Sequence, residues 1–345
     1  MTSIIRSRLF LASVFVLLLL ALLTSFNHQK PRVLFLHSFS EEGVWEQAVD
    51  DGIRRELAKN RTPIASRWHY LSYADQDGTI NWRAAASRAR HAIDAYQPDV
   101  LVMIGEEAQQ YVGRQYVNHP SLRLVYAMGE DPALFGYVGV NNVTGVRETL
   151  PLAPLLELLQ NLKRPTLRVR VLGMDDATGQ AERQQVQNFS WGAHQLLGVE
   201  LVKDYPSWQA AVRRANLDAD VLLVLSFTGL PRSASDPRPK EAAAISHWTE
   251  YASKPLVIGV RDSFVTGGGA LAVVPSPEGL GQQVAHQALL ALAGTRRGGA
   301  LPPPTESVDF QISMRPERLA ARKVVLPVLY VQAARAAHSL YLRGQ

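Results

Sequence analysis

The sequence of 345 residues contains no cysteine. It therefore excludes disulfide bonds, thiolate metal sites, a cysteine nucleophile and the lipid-modified cysteine that anchors many exported bacterial proteins. The net charge of +5 is modest, and no run of basic residues with interleaved aromatic residues occurs, so nucleic-acid binding is disfavoured. With 47% apolar and 19% charged residues, the composition is that of a globular protein long enough for two domains.

Sequence signatures of enzymes are also scarce. The chain has no G-x-S-x-G elbow, no phosphate-binding loop and no strand-linked G-x-G-x-x-G motif. Its nine histidines show no spacing typical of a metal site. The pair His37-Ser38 is poorly placed to act as base and nucleophile, because neighbouring strand residues point to opposite faces. We therefore expect a protein that is not an enzyme and that uses neither a cofactor nor a metal.

The first 29 residues are typical of a signal peptide or an uncleaved membrane anchor. Arg6 and Arg8 precede an apolar run over residues 9–23. Residues 4–26 reach the lower limit of length for a tilted membrane-spanning helix, and no clear cleavage site follows them. The sequence thus predicts a periplasmic protein, and an uncleaved segment would anchor it to the inner membrane.

Beyond residue 30, short apolar strands alternate with amphipathic helices. In the first half the predicted strands cover residues 32–37, 65–71, 100–104 and 122–127, and the predicted helices cover 44–59, 82–96 and 108–117. In the second half the predicted strands cover 167–172, 199–203, 221–225 and 256–260, and the predicted helices cover 154–162, 179–197, 207–215 and 241–251. Fully apolar strands that alternate with helices predict parallel sheets with helices on both faces.

Because the same order of elements occurs twice, the fold class is predicted to be α/β, with two doubly wound Rossmann-like lobes. The tail adds a strand at 271–274, a helix at 277–293, a strand at 307–312 and a helix at 325–342. We expect an N-terminal lobe of residues 31–145 plus about 271–300 and a C-terminal lobe of residues 146–270 plus about 301–326. Residues 327–345 are expected to form a C-terminal helix.

Several phrases occur in an order that resembles one protein family. These are VYAMGEDP at 125–132, NVTGV at 142–146, RVRVL at 168–172 and FQIS at 310–313. They resemble the bacterial ABC-transporter substrate-binding proteins of the type I periplasmic fold, the group with tryptophan- and tyrosine-type members, over nearly all of the chain after Lys30. The resemblance implies a protein that closes on an amino acid-like, aromatic or other polar solute. It also implies delivery of this solute to an ABC permease in the inner membrane.

Two features favour a different relative within the same fold. The phrase LHSF at 36–39, with Trp45 downstream, is more similar to extracytoplasmic sensor domains, which would need a separate membrane signalling protein as partner. The pair Glu106-Glu107 departs from the small hydroxyl residues or prolines that transport members often carry there, and this weakens the case for an amino-acid ligand. A membrane-anchored sensor subunit is therefore an alternative function, and a cell-envelope enzyme that uses the interlobe cleft is a second one.

Candidate binding residues follow the predicted strands directly, because ligands of open α/β sheets bind beyond the carboxyl ends of the strands. The predicted ligand-binding residues are Ser38, Phe39, Glu106, Met128, Gly129, Asp175, Thr178, Ser226, Phe227, Thr228 and Asp262. Ser226 and Thr228 are the strongest candidates, since they follow an apolar strand and precede a Gly-Leu-Pro break. Ser38, Thr178 and Glu106 fit the capping of helices equally well. Asp262 could instead pair with its neighbour Arg261.

Overall fold

A computed structural model describes residues 14–19, 30–71, 81–162, 165–297 and 299–342. Residues 14–19 are helical, and the rest of the predicted signal or anchor segment lies outside the described residues. Among the residues described, no helix is long and apolar enough to cross a membrane.

The first lobe is built on a six-stranded, fully parallel sheet in the order β13-β5-β4-β3-β1-β2. Its strands are β1 (Arg32–His37), β2 (Ala65–Tyr70), β3 (Val100–Ile104), β4 (Arg123–Met128), β5 (Val143–Arg147) and β13 (Thr305–Glu306). Its helices are α1 (Val44–Lys59), α2 (Trp82–Tyr96), α3 (Glu106–Tyr111) and α9 (Pro277–Arg297).

The second lobe repeats this plan with a sheet in the order β14-β12-β11-β8-β6-β7. Its strands are β6 (Arg168–Met174), β7 (Gln195–Val202), β8 (Val221–Val224), β11 (Leu256–Gly259), β12 (Leu271–Pro275) and β14 (Phe310–Met314), of which β14 alone is antiparallel to its neighbour. Its helices are α4 (Leu152–Gln160), α5 (Ala177–Asn188), α6 (Tyr205–Asp218), α7 (Ala242–Ala252), α8 (Asp262–Thr266), α10 (Pro316–Ala321) and α11 (Val328–Ala336). A short hairpin of β9 (Pro231–Ser233) and β10 (Asp236–Pro239) projects from this lobe.

Each sheet is buried on both faces, as the apolar strands predict. In β1, Val33 and Phe35 pack in one apolar cluster together with residues of α1 and α9, whereas Leu34 and Leu36 pack in a second cluster with α2. This division follows from the alternation of side chains along a strand. Two further clusters flank the sheet of the second lobe. The predicted α/β class with two doubly wound lobes is confirmed.

The chain passes between the lobes three times, after β5, after β12 and between β13 and β14. The expected lobe boundary at about residue 271 differs from the structure. Strand β12 (Leu271–Pro275) belongs to the second sheet, and the chain passes to the first lobe only after Pro275. The predicted strand 307–312 corresponds to β14, which begins later, at Phe310, and pairs in the second sheet, whereas residues 305–306 just before it pair in the first sheet. The three passages contact one another: the Ser307 amide donates to the Arg147 carbonyl (2.8 Å), and the Ser276 amide donates to the Asp309 carbonyl (3.0 Å).

Two predicted helices end earlier than expected. Helix α5 stops at Asn188 rather than at residue 197, because the buried Trp191 folds back and donates its indole N–H to the Val186 carbonyl (3.1 Å). Gly192 then takes a left-handed conformation with φ of 59°, which favours glycine. The C-terminal helix begins at Val328, and its last turn gives way to Ser339, whose hydroxyl donates to the Ile312 carbonyl (2.7 Å).

Candidate functional site

A cleft of about 530 Å³ lies between the carboxyl ends of the two sheets. This volume is within the range of small-molecule sites in proteins. The first lobe lines it with Phe39, Trp45, Glu46, Gly105, Glu106, Ala127, Met128, Gly129, Glu130 and Leu280. The passage after β5 contributes Glu148, Thr149 and Leu150, and the second lobe contributes Thr178, Ala181, Glu182, Gln185, Ser226, Thr228 and Arg261. Both lobes therefore present polar side chains to one shared cleft.

Arg261 is the centre of a charged network at the base of the cleft. Its guanidinium donates to Glu148 Oε1 (2.8 Å) and to Glu182 Oε1 (2.8 Å). Ser226 fixes the second carboxylate, because its amide donates to Glu182 Oε2 (2.8 Å) and its hydroxyl donates to Glu182 Oε1 (2.7 Å). Burial alone would lower the pKa of Arg261, but the charges of Glu182 and Glu148 outweigh burial and raise it. The network joins the interlobe passage to the second lobe, and it contains two carboxyl groups and one cation.

Carboxyl groups also line the first-lobe side of the cleft. Glu106 Oε1 accepts a hydrogen bond from the Gly129 amide (2.9 Å), which holds this carboxyl group against the end of β4. Burial raises the pKa of Glu130, and the neighbouring carboxylates of Glu106, Glu107 and Asp176 raise it further. The last of these belongs to the second lobe, so like charges face each other across the cleft.

Aromatic side chains stand beside these carboxyl groups. Phe39 is 43% exposed and Trp45 is 37% exposed, although both are large apolar residues. The Phe39 ring meets the Trp82 ring edge-on at a centroid distance of 6.4 Å, and Trp82 stacks on Tyr111 at 5.6 Å. The stack holds Phe39 in place, so the cleft offers a fixed apolar surface as well as charge.

A buried polar cluster lies behind the cleft wall in the first lobe. His37 Nε2 lies 2.9 Å from Asp50 Oδ1, and Asp50 also accepts hydrogen bonds from the Trp68 indole N–H (2.8 Å) and the Tyr70 hydroxyl (2.6 Å). Burial alone would raise the pKa of Asp50, but these hydrogen bonds outweigh it and lower the pKa. The cluster ties β1, α1 and β2 together.

Seven of the predicted binding residues line the cleft, and four lie elsewhere. The seven are Phe39, Glu106, Met128, Gly129, Thr178, Ser226 and Thr228. Helix α5 is capped by Asp176, whose Oδ1 accepts from the Gly179 amide (2.7 Å), so Thr178 does not have the capping role that was an alternative for it.

The other four predicted residues do not line this cleft. Ser38 is buried, and its hydroxyl oxygen accepts a hydrogen bond from the Ala108 amide (2.9 Å) in the first turn of α3. Phe227 is buried in the core of the second lobe. Asp175 Oδ1 accepts a hydrogen bond from the Gln180 side chain (2.6 Å). Asp262 accepts hydrogen bonds from the Tyr341 hydroxyl (2.9 Å) and from Ser313, and does not pair with Arg261.

Several residues of the cleft did not follow from the sequence. Glu148 comes after β5, a segment without a clear strand pattern, and Glu182 lies inside the polar helix α5, where no sequence signal distinguishes it. Arg261 follows a predicted strand and was therefore open to prediction as a cleft residue. Its pairing with Glu148, which is 113 positions away in sequence, was not.

No protein-family model matches the chain, and no curated protein matches its sequence. Solved structures match it over most of its length. A substrate-binding protein with adhesive properties from Clostridium difficile, in its ligand-free open structure, has 16% identity and a TM-score of 0.62 over 90% of this chain and 98% of that one. An ABC domain in complex with L-Trp from Streptococcus pneumoniae has 15% identity and a TM-score of 0.56 over 88% and 98%.

A third solved structure is the substrate-binding protein of a branched-chain amino acid transporter, from Streptococcus pneumoniae, in complex with isoleucine. It has 11% identity and a TM-score of 0.52 over 77% of this chain and 84% of that one. The chain therefore has the two-lobed α/β fold of the type I periplasmic substrate-binding proteins.

Proposed function

We propose that this protein is an extracytoplasmic solute-binding protein that closes its two lobes on a small molecule and delivers it to an ABC permease of the inner membrane. The observation that carries the proposal is the cleft, because both lobes and the passage between them line it with polar and aromatic side chains. The apolar run at residues 9–23, preceded by arginines, supports export from the cytoplasm. The proposal assigns no catalytic step to the cleft.

Closure follows from the position of the polar groups. A solute that contacts Glu106 and Glu130 on one lobe and Ser226 and Thr228 on the other gains all of these contacts only when the lobes are together. It therefore shifts the population towards the closed state by its difference in affinity for the two states. The hinge consists of the three hydrogen-bonded passages, and a permease would recognise the closed arrangement of the lobe surfaces.

The absence of native cysteine allows a direct test of closure. Leu134 of the first lobe and Gln184 of the second line a groove at the outer rim of the cleft, and both are exposed. Spin labels on the double variant Leu134→Cys/Gln184→Cys of the full-length chain report the distance between the lobes. We expect at least one member of a panel of L-leucine, L-tryptophan, glucose, citrate, tyramine and spermidine to shorten and narrow the distance distribution.

A second pair of labels, at Leu134→Cys and Ser121→Cys, provides the control because both residues lie in the first lobe and are exposed. Their distance should stay constant with every compound. If no compound in the panel changes the interlobe distance, or if both pairs change together, the proposed closure on a solute is contradicted.

A further inference from the structure

We propose that the solute is an organic cation, namely an amine that carries no carboxylate and has an apolar or aromatic body. This inference rests on the proposed binding function and names the chemical class that the cleft selects. It is carried by two independent features of the cleft, which are its excess of carboxyl groups and its exposed aromatic rings.

The charge of the lining is strongly one-sided. Five carboxyl groups line the cleft, those of Glu46, Glu106, Glu130, Glu148 and Glu182. Among the described lining residues, Arg261 is the only one with a cationic side chain. A cationic solute would replace the water that these carboxylates lose when the lobes close, whereas an anionic solute would meet like charges at low dielectric.

Arg261 is not free to bind a carboxylate of the solute. Its Nη1 already donates to Glu148 Oε1 (2.8 Å) and its Nη2 to Glu182 Oε1 (2.8 Å). Its Nε donates to the Ser226 hydroxyl oxygen (3.3 Å). A carboxylate would have to displace one of two carboxylates that are 12% and 3% exposed, and would leave that group buried without a cation. Among the described lining residues, the cleft thus offers no uncommitted cationic side chain to the carboxylate of a zwitterion or an anion.

On the first lobe, by contrast, an acceptor is available. Within the described part of the chain, Glu130 makes no hydrogen bond or ion pair, and the half-buried side chain lies at the cleft surface. Its raised pKa reflects burial and the carboxylates around it, and the positive charge of an ammonium group at this position would offset both effects. The Gly129 amide holds Glu106 on the same side of the cleft, so two carboxyl groups of the first lobe line it.

The aromatic rings complete the site for this class of solute. Phe39 and Trp45 lie on the same lobe as Glu106 and Glu130 and expose large parts of their rings to the cleft. Aromatic faces attract cations through their quadrupole and also cover the apolar body of an organic amine. Carboxylates alone would suit any cation, but carboxylates beside aromatic rings favour an organic one.

Three compounds with the same ring test the charge directly: tyramine is a cation, L-tyrosine is a zwitterion and hydroxyphenylpropionate is an anion. Spermidine serves as a cation without a ring. Binding to the full-length chain in detergent micelles is followed by tryptophan fluorescence and by thermal unfolding, since Trp45 lines the cleft. We expect tyramine or spermidine to bind, L-tyrosine to bind at least about tenfold more weakly than the better amine, and the anion to give no change.

Variants locate the binding. Glu130→Gln and Glu106→Gln each remove a charge while keeping an oxygen acceptor, and each should weaken amine binding by about tenfold or more. Glu157→Gln makes the same change at an exposed position on α4, outside the cleft, and should leave the affinity unchanged. An equal effect of all three variants would overturn the assignment of the site.

The outcomes separate this inference from the function on which it rests. If L-tyrosine or the anion binds more tightly than either amine and shortens the interlobe distance, the solute class is wrong and the binding function stands. If no compound of any charge binds or shortens that distance, the binding function and the solute class are both wrong.

Discussion

Replacing Arg261 with methionine should destabilise the protein, because among the described residues Arg261 is the cation that pairs with two poorly exposed carboxylates. The side chains of Glu148 and Glu182 are 12% and 3% exposed, whereas that of Arg261 is 33% exposed. Methionine fills a similar volume without charge. The variant therefore measures the cost of leaving the two carboxylates without their partner rather than the cost of a cavity.

The magnitude follows from the geometry. Breaking a buried ion pair by removing one partner costs about 3–5 kcal/mol. Here water reaches one third of Arg261, and Glu182 keeps the two hydrogen bonds from Ser226. We therefore expect a loss of about 2–3 kcal/mol in the free energy of unfolding, which corresponds to a fall in Tm of roughly 5–10 °C for a lobe of this size.

Thermal unfolding of three variants tests this reasoning. Adding Glu182→Gln to Arg261→Met should recover about 1 kcal/mol or more, because glutamine carries no charge, its carbonyl oxygen can accept from the Ser226 amide and its NH2 group can donate to the Ser226 hydroxyl oxygen. Arg238→Met breaks an exposed pair with Asp236 on the hairpin and should leave Tm nearly unchanged. The reasoning is refuted if Arg261→Met is as stable as the parent, or if the second substitution adds to the loss.

Two further predictions concern the first lobe. A Cβ atom on Gly281 would lie 2.0 Å from the Val49 carbonyl oxygen, so Gly281→Ala should force α1 and α9 apart. We expect a loss of about 1–3 kcal/mol in the free energy of unfolding, measured with urea. A gain in stability, the usual result of Gly→Ala in a helix, would contradict this packing. Asp50→Asn should cost about 2–4 kcal/mol at pH 7, because an amide cannot accept all the hydrogen bonds that Asp50 receives, whereas Asp51→Asn on the exposed face of α1 should cost little. The pKa of Asp50 is lower in the folded state than in the unfolded one, so its contribution to stability is present above the unfolded pKa and is lost as pH falls through the folded pKa. The difference in the free energy of unfolding between parent and Asp50→Asn should therefore shrink below about pH 4. A difference that does not change with pH would contradict the assignment.

The fold could be predicted from the sequence where local signals agree with packing. Helix α2 has both kinds of signal, with its apolar face buried against β1 and β3 and with Asn81 accepting a hydrogen bond from the Ala84 amide (3.1 Å) as its cap. The sheet to which β12 belongs could not be predicted. Periodicity identifies a buried strand but carries no information about which neighbour it pairs with, and this pairing decides the lobe.

The candidate site shows a similar limit with a definite physical cause. The rule that ligands bind at the carboxyl ends of strands gives the correct region, but successive residues there point in opposite directions. Ser226 and Thr228 line the cleft while Phe227 between them enters the core. Arg261 faces the cleft and the next residue, Asp262, faces Tyr341. A prediction from strand ends must therefore take this alternation of side-chain direction into account to separate cleft residues from core residues.

The three passages between the lobes also determine when each lobe can be completed during synthesis. The cluster that contains Val33 and Phe35 of β1 is covered by Val284 and Ala288 of α9, a helix near the end of the chain. The first lobe therefore keeps one apolar sheet face only partly covered, by α1, until about residue 297 has emerged, although its first strand is made at the start. An export pathway that carries the chain unfolded suits this arrangement, and the second lobe, whose strands β6 to β12 are contiguous in sequence, can form most of its sheet before the first is complete.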